Sequence, residues 1–165
     1  MYKRQTEDGA EYVRNVDRLL KKFETAKQYV PAPKVKSPSG PTRFGALFFG
    51  TTASPAYEAT EILADEGFAI DTLRLRAFPF SREVEDFIAG HDTVFVIEQN
   101  RDGQMRRLLI NETHVSVKEK LVSVLNYDGL PITARQIAAV IRGSMSGSNV
   151  TPLRGKRTGA GKSKS

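Results

Sequence analysis

A chain of 165 residues, 39% hydrophobic and 27% charged, has the length for one compact domain plus extensions; no apolar run approaches the ~20 residues that cross a bilayer, and the polar start after Met1 is no secretory signal. The absence of cysteine excludes disulfides, thiolate metal sites, iron–sulfur ligation and a cysteine nucleophile within this chain, and agrees with a cytoplasmic location. The formal charge of +6 belongs to the end of the chain: six basic residues and no acid follow from Arg142 onward, while the 19 basic and 19 acidic residues before it balance, so the body has no electrostatic reason to seek nucleic acid.

Residues 1–29 carry one amphipathic helix, starting near residue 6. Val13, Val16, Leu20 and Phe23 recur at three- and four-residue steps, opposite Arg14, Asp17, Arg18, Lys21, Lys22 and Glu24. A lone helix of this kind needs something to dock on. Residues 30–41 hold four of the eight prolines and read as an extended, semi-rigid linker.

Residues 42–142 read as an α/β domain. Residues 43–49 form a mostly apolar run ended by Gly50, as in a buried parallel strand. Ser54 as N-cap and Pro55 in the first turn open a helix that Gly67 closes. A strand over 69–75 follows, then a short helix capped by Ser81, a β-branched and aromatic strand over 93–97, and a helix that Asp102 can cap. A strand over 121–125 and a helix over 133–141 complete the pattern. This βαβαβαβα alternation predicts an open, mainly parallel, doubly wound sheet. From Gly143 to Ser165 the chain is Gly, Ser, Thr, Lys and Arg with almost nothing to bury, and is expected to be a disordered basic tail.

Functional loops in such a sheet lie outside the carboxyl ends of the strands. Gly50-Thr51-Thr52 lacks a P-loop lysine and a dinucleotide spacing, so a strand-to-helix turn is the better reading, with a small-nucleotide site as a rival. The tail's Gly159-Ala160-Gly161-Lys162-Ser163 has no flanking strand or helix and no upstream glycine at Lys156, which excludes a Walker motif. Glu98-Gln99-Asn100, against an apolar strand, can hydrogen-bond a ligand, pin a partner's backbone or satisfy neighbouring turns. Arg74 and Arg76 share one sheet face and need partners, Glu98 or a subunit across an interface. His91 and His114 lack companions at ligand spacing, and no serine occupies a nucleophile elbow. Neither a catalytic residue, a cofactor-binding residue nor a metal ligand is assigned.

Four segments in order carry a resemblance: Phe49-Gly50-Thr51-Thr52-Ala53, Leu73-Arg74-Leu75-Arg76-Ala77-Phe78-Pro79-Phe80, Val96-Ile97-Glu98-Gln99-Asn100-Arg101-Asp102-Gly103-Gln104 and Asn126-Tyr127-Asp128-Gly129-Leu130-Pro131-Ile132-Thr133-Ala134. Together with Thr6-Glu7-Asp8-Gly9-Ala10-Glu11-Tyr12 they are similar to the C-terminal region of the alpha subunit of 2-oxoacid:ferredoxin oxidoreductases, particularly the 2-oxoglutarate type. The resemblance spans about Thr6 to Gly143 and implies a transketolase C-terminal-like domain. It implies a complex that decarboxylates a 2-oxoacid oxidatively, passes the acyl group to coenzyme A and sends two electrons to ferredoxin. Thiamine diphosphate, Mg2+ and an iron–sulfur cluster are expected in that complex and none of them in this chain. The implied partners are the beta subunit, the rest of the alpha subunit and, through the complex, ferredoxin; neither nucleic acid nor a membrane is among them.

No thiamine-binding sequence precedes Thr6, so the chain is expected to be a fragment or split subunit, structural and inactive alone. The expected contact residues are Arg76, Glu98, Gln99, Asn100, Gly103, Gln104, Tyr127, Asp128, Gly129 and Pro131. A stand-alone α/β binding module, with a basic tail for nucleic acid or an anionic surface, is the alternative.

Overall fold

The run Phe44–Phe49 alternates its side chains between two buried faces, and this organises the whole domain. In the computed structural model, which describes residues 7–38, 42–113 and 119–146, five strands form one sheet: β1 (Lys34–Lys36), β2 (Phe44–Phe49), β3 (Asp71–Leu75), β4 (Thr93–Glu98) and β5 (Leu121–Leu125), in the order β1-β3-β2-β4-β5. β2 to β5 are parallel, and β1 runs antiparallel along β3 at the edge. Five helices accompany them: α1 (Gly9–Ala26), α2 (Ala53–Asp65), α3 (Arg82–Gly90), α4 (Gln104–Glu112) and α5 (Ala134–Ser146).

Phe48 of β2 and Phe95 and Ile97 of β4 face α2 and α5, where Ala56, Leu63, Ile137 and Ile141 cover them. Leu47, Val94 and Val96 face the other way, onto α3 and α4 through Val84, Ile88 and Leu109. A sheet covered on both sides needs apolar residues at every position of its central strands, which is why these strands read as continuous runs instead of alternating ones. The expected doubly wound, mainly parallel α/β architecture is therefore what the chain adopts.

Helix α2 ends as expected. Gly67 takes φ +90°, Phe68 N donates to Leu63 O at 2.8 Å and Gly67 N to Ala64 O at 2.9 Å, the double bond of a Schellman closure. Its start differs: a 3-10 turn over Gly50–Thr52 leads directly into Ala53, so Ser54 and Pro55 lie inside the first turn and Thr52 holds the cap position. Ser81 sits at the α3 cap with extended backbone, yet its hydroxyl makes no capping bond.

Three segments depart from the sequence reading. The proline-rich stretch is extended, but it is more than a connector: Lys34, Val35 and Lys36 pair with Arg74, Leu73 and Thr72. Charged residues and neighbouring prolines suit an exposed edge strand, and hide it from any search for apolar periodicity. At the other end, α5 continues past Gly143 to Ser146 because Met145 is buried against the core; the rest of the basic tail lies outside the described residues. The α1 helix is shorter than residues 6–29, begins at the Asp8 cap, where Oδ1 accepts from Ala10 N at 2.8 Å, and buries none of its residues.

Candidate functional site

From β2 the chain proceeds to β3 on one side, and from β4 to β5 on the other. The loops leaving β2 and β4 therefore diverge, opening a crevice at the carboxyl edge of the sheet. All four parallel strands deliver their loops to this edge, and with them every contact residue expected from the sequence.

Glu98 ends β4 and is fully buried. Its Oε2 accepts from Asn100 Nδ2 at 2.7 Å and Met105 N at 2.8 Å, and its Oε1 accepts from Arg106 N at 3.2 Å. The carboxylate thus satisfies the amino end of α4 and meets the positive end of its dipole. Asn100 Oδ1 accepts from Asp102 N at 3.1 Å and Gln104 N at 3.3 Å. Gly103 turns the chain back at φ +60°; the left-handed backbone, not lack of space, calls for glycine there, since an added Cβ would come no closer than 3.5 Å to Ser123 Oγ. Asp102, expected to cap α4, instead holds Arg101 Nε at 2.7 Å. The carboxylate of Glu98, a candidate interface residue from the sequence, is turned inward and occupied by α4. Nor does it partner Arg74 or Arg76, because β2 lies between β3 and β4. Arg76 is exposed and donates to Ala32 O at 3.3 Å, tying the proline-rich segment to the end of β3.

Gln99 joins three loops. Its Nε2 donates to Thr51 Oγ1 at 3.4 Å and Thr52 Oγ1 at 3.3 Å, and its Oε1 accepts from Ile132 N at 3.1 Å. The Gly50-Thr51-Thr52 hydroxyls are thus engaged in bracing, as a strand-to-helix turn requires. The loop after β5 ties itself: Asn126 Nδ2 donates to Leu130 O at 2.7 Å, Leu130 N donates to Asp128 Oδ1 at 2.9 Å, and Gly129 takes φ +89°. Asn126 N also donates to Glu98 O at 3.1 Å. This turn holds Tyr127 and Leu130 outward, 66% and 71% exposed.

Between these loops lies a cleft of about 760 Å3, walled by Thr51, Ser54 and Glu58 on one side and by Gln99, Pro131 and Arg135 on the other. Glu58 and Arg135 were not anticipated from the sequence: each follows its loop into the first turns of a helix, and only the packing of α2 on α5 brings them to one cleft. The cleft offers hydroxyls, one acid and one cation, a set suited to holding polar groups. Among the described residues no three His, Asp or Glu side chains cluster as metal ligands. His91 lies at the opposite, amino edge, buried, with Nε2 3.2 Å from Asp71 Oδ2 and Nδ1 2.6 Å from Phe87 O. His114 lies outside the described residues.

No family model matches the chain. Over 96 residues, 57% of its length, it is 34% identical to the alpha subunit of 2-oxoacid:ferredoxin oxidoreductase 2 of Aeropyrum pernix, and it spans 14% of that protein. Its fold is similar to that of the 2-oxoglutarate:ferredoxin oxidoreductase from Magnetococcus marinus solved with 2-oxoglutarate, coenzyme A and succinyl-CoA bound. That likeness has a TM-score of 0.74 at 21% identity and covers 85% of this chain and 24% of that one. A split-gene transketolase, solved as an inactive beta4 tetramer, matches with a TM-score of 0.53 at 18% identity, over 68% of this chain and 41% of that one. The resemblance read from the four loop motifs is borne out, as is the transketolase-like fold.

Proposed function

We propose that this chain is a domain of the alpha subunit of a 2-oxoacid:ferredoxin oxidoreductase, that it performs no chemistry of its own, and that its carboxyl edge braces the rest of the complex. The observation that carries the reading is the Gln99 tie: one side chain fixes the loops after β2, β4 and β5 in a single rigid platform. Rigid display lowers the ordering cost of a contact. Tyr127, Leu130 and Pro131 supply exposed apolar area, with Asp128, Gln104 and Arg76 as a polar surround. Similarity to the Aeropyrum alpha subunit supports the assignment to that subunit.

Within this reading the complex oxidises a 2-oxoacid, 2-oxoglutarate, in the cytoplasm, forms the acyl-coenzyme A and reduces ferredoxin. Thiamine diphosphate with Mg2+ supplies the decarboxylation chemistry in the complete complex. The cleft residues here do not fit that group: Glu58 is its one carboxylate, and no three-ligand cluster stands nearby among the described residues. The thiamine-binding portion and the beta subunit are the partners that the platform contacts.

Co-expression with a beta subunit and a thiamine-binding alpha portion tests this. A Tyr127→Ala/Leu130→Ala double variant is expected to lose co-purification and 2-oxoacid-dependent reduction of a viologen dye while its own thermal melt stays unchanged. Full assembly and activity in that variant would refute the platform as the contact.

A further inference from the structure

The amino edge of the sheet, opposite the platform, holds a buried acid–base pair. His91 and Asp71 are 6% and 3% exposed. The imidazole stands at the carboxyl end of α3, where its Nδ1 lies 2.6 Å from Phe87 O and its Nε2 lies 3.2 Å from Asp71 Oδ2. We propose that His91 carries a proton on both ring nitrogens, and that its pair with the Asp71 carboxylate is a proton-operated latch fastening the entry to β2 against α3.

A backbone carbonyl and a carboxylate accept hydrogen bonds and donate none, whereas a neutral imidazole has one N–H and one lone pair. Either neutral tautomer therefore leaves two acceptors facing each other, at 2.6 Å or at 3.2 Å. The doubly protonated ring donates to both and sets its charge at the negative end of the α3 dipole. Burial opposes charge here, but the two charges are of opposite sign and hydrogen-bonded, the arrangement in which buried charge persists. The other charges at this edge are engaged elsewhere: Arg43 Nε bonds Asp92 Oδ2 at 2.5 Å, both side chains exposed, and Lys120 Nζ donates to Ala89 O at 2.8 Å. Against the faces of the ring stand Phe87, with ring centroids 4.3 Å apart, and Gly45 of β2, where an added Cβ would come 3.3 Å from His91 Cγ. Among the described residues Asp71 is thus the one charged group that hydrogen-bonds the ring. The same oxygen, Oδ2, also accepts from Thr42 N at 3.2 Å, at the entry to β2, while Oδ1 has no partner among the described residues. Removing the second ring proton turns the Nε2 lone pair onto Oδ2 and strands a buried charge. Thr42 and the end of α3 then lose their common anchor.

Long-range proton–nitrogen NMR of the full chain, with His114→Gln leaving a single histidine, is expected to show both ring nitrogens of His91 protonated at neutral pH. A single ring proton there, on either nitrogen, overturns the proposal. The latch stabilises the fold in its protonated form. Its contribution is whole below about pH 6.5, where a histidine of the unfolded chain is itself protonated, and is lost as pH rises. Urea midpoints of the parent should therefore fall between about pH 6 and about pH 9, and Asp71→Asn or His91→Gln should flatten that fall. Protection of the Thr42 amide, corrected for its intrinsic exchange rate, should drop roughly tenfold over the same range, while that of Ile132, held by Gln99 at the other edge, drops less than about twofold. A parent profile no steeper than those of the variants overturns the latch, as does equal loss at Thr42 and Ile132. If both variants fail to fold, the ring spectrum and the two amides of the parent decide it. These readouts need no partner protein and stand whether or not the platform binds the rest of an oxidoreductase.

Discussion

Replacing Glu98 with glutamine keeps the shape of the side chain and removes its charge. Three donors point at the carboxylate: Asn100 Nδ2 at 2.7 Å, Met105 N at 2.8 Å and Arg106 N at 3.2 Å. A carboxamide has one accepting oxygen, so its NH2 must face at least one of those donors at a fully buried site. A hydrogen bond to a charged acceptor contributes about 1.5–3 kcal/mol, and the lost charge at a helix amino end adds about 0.3–1 kcal/mol; the expected loss for Glu98→Gln is about 2–3 kcal/mol. Glu98→Ala leaves two backbone N–H groups without an acceptor and opens a void, for about 4–5 kcal/mol. Urea denaturation followed by far-UV circular dichroism measures both, and hydrogen exchange at Met105 and Arg106 should localise the damage to α4. The reasoning is refuted if Glu98→Gln unfolds within about 0.5 kcal/mol of the parent yet fails to assemble with a partner subunit, the behaviour of a surface contact.

Gln99→Ala deprives the N–H of Ile132 of its acceptor and releases Thr51 and Thr52; a loss of about 1–2 kcal/mol with faster amide exchange at Ile132 is expected in two-dimensional NMR. Gly45→Ala puts a Cβ 2.7 Å from Phe87 Cε1 and 2.9 Å from Cζ, inside a central strand that cannot retreat. Overpacking should cost about 1–3 kcal/mol, read as a lowered Tm, and Phe87→Leu in the same chain should recover part of it. The Arg142 guanidinium, bonding Glu66 at 2.7 and 2.5 Å, holds the Glu66 carboxyl below its ordinary range against a smaller opposing effect of burial. A depressed folded-state pKa gives stability that is present above the ordinary carboxylate range and lost as pH falls through the folded value. Denaturation midpoints of the parent and Glu66→Gln should therefore converge on acidification below that range, and a gap that stays constant with pH would count against the pair.

Much of the fold was legible because its signals are local. The two-faced burial of β2 and β4 demands uninterrupted apolar runs, the Gly67 closure acts within one helical turn, and alternation of strand and helix forces parallel pairing with crossovers. The four loop motifs could be placed at one edge of the sheet from strand direction alone. What those residues do there was not legible. Glu98 caps a helix that begins six residues downstream, which requires Gly103 to reverse the chain first. Gln99 binds partners 33 to 48 residues away, a separation at which no local pattern operates. β1 earns its place by pairing with β3 across the sheet edge, and its Lys-Val-Lys sequence carries no burial signal because an edge strand buries little. The sequence by itself determined the elements other than β1, their alternation, the edge where loops gather and the amphipathic stripe of α1. Tertiary structure alone decided which polar groups at that edge face inward and which remain outside, because hydrogen-bond partners are assigned by the order in which buried faces bring distant strands together.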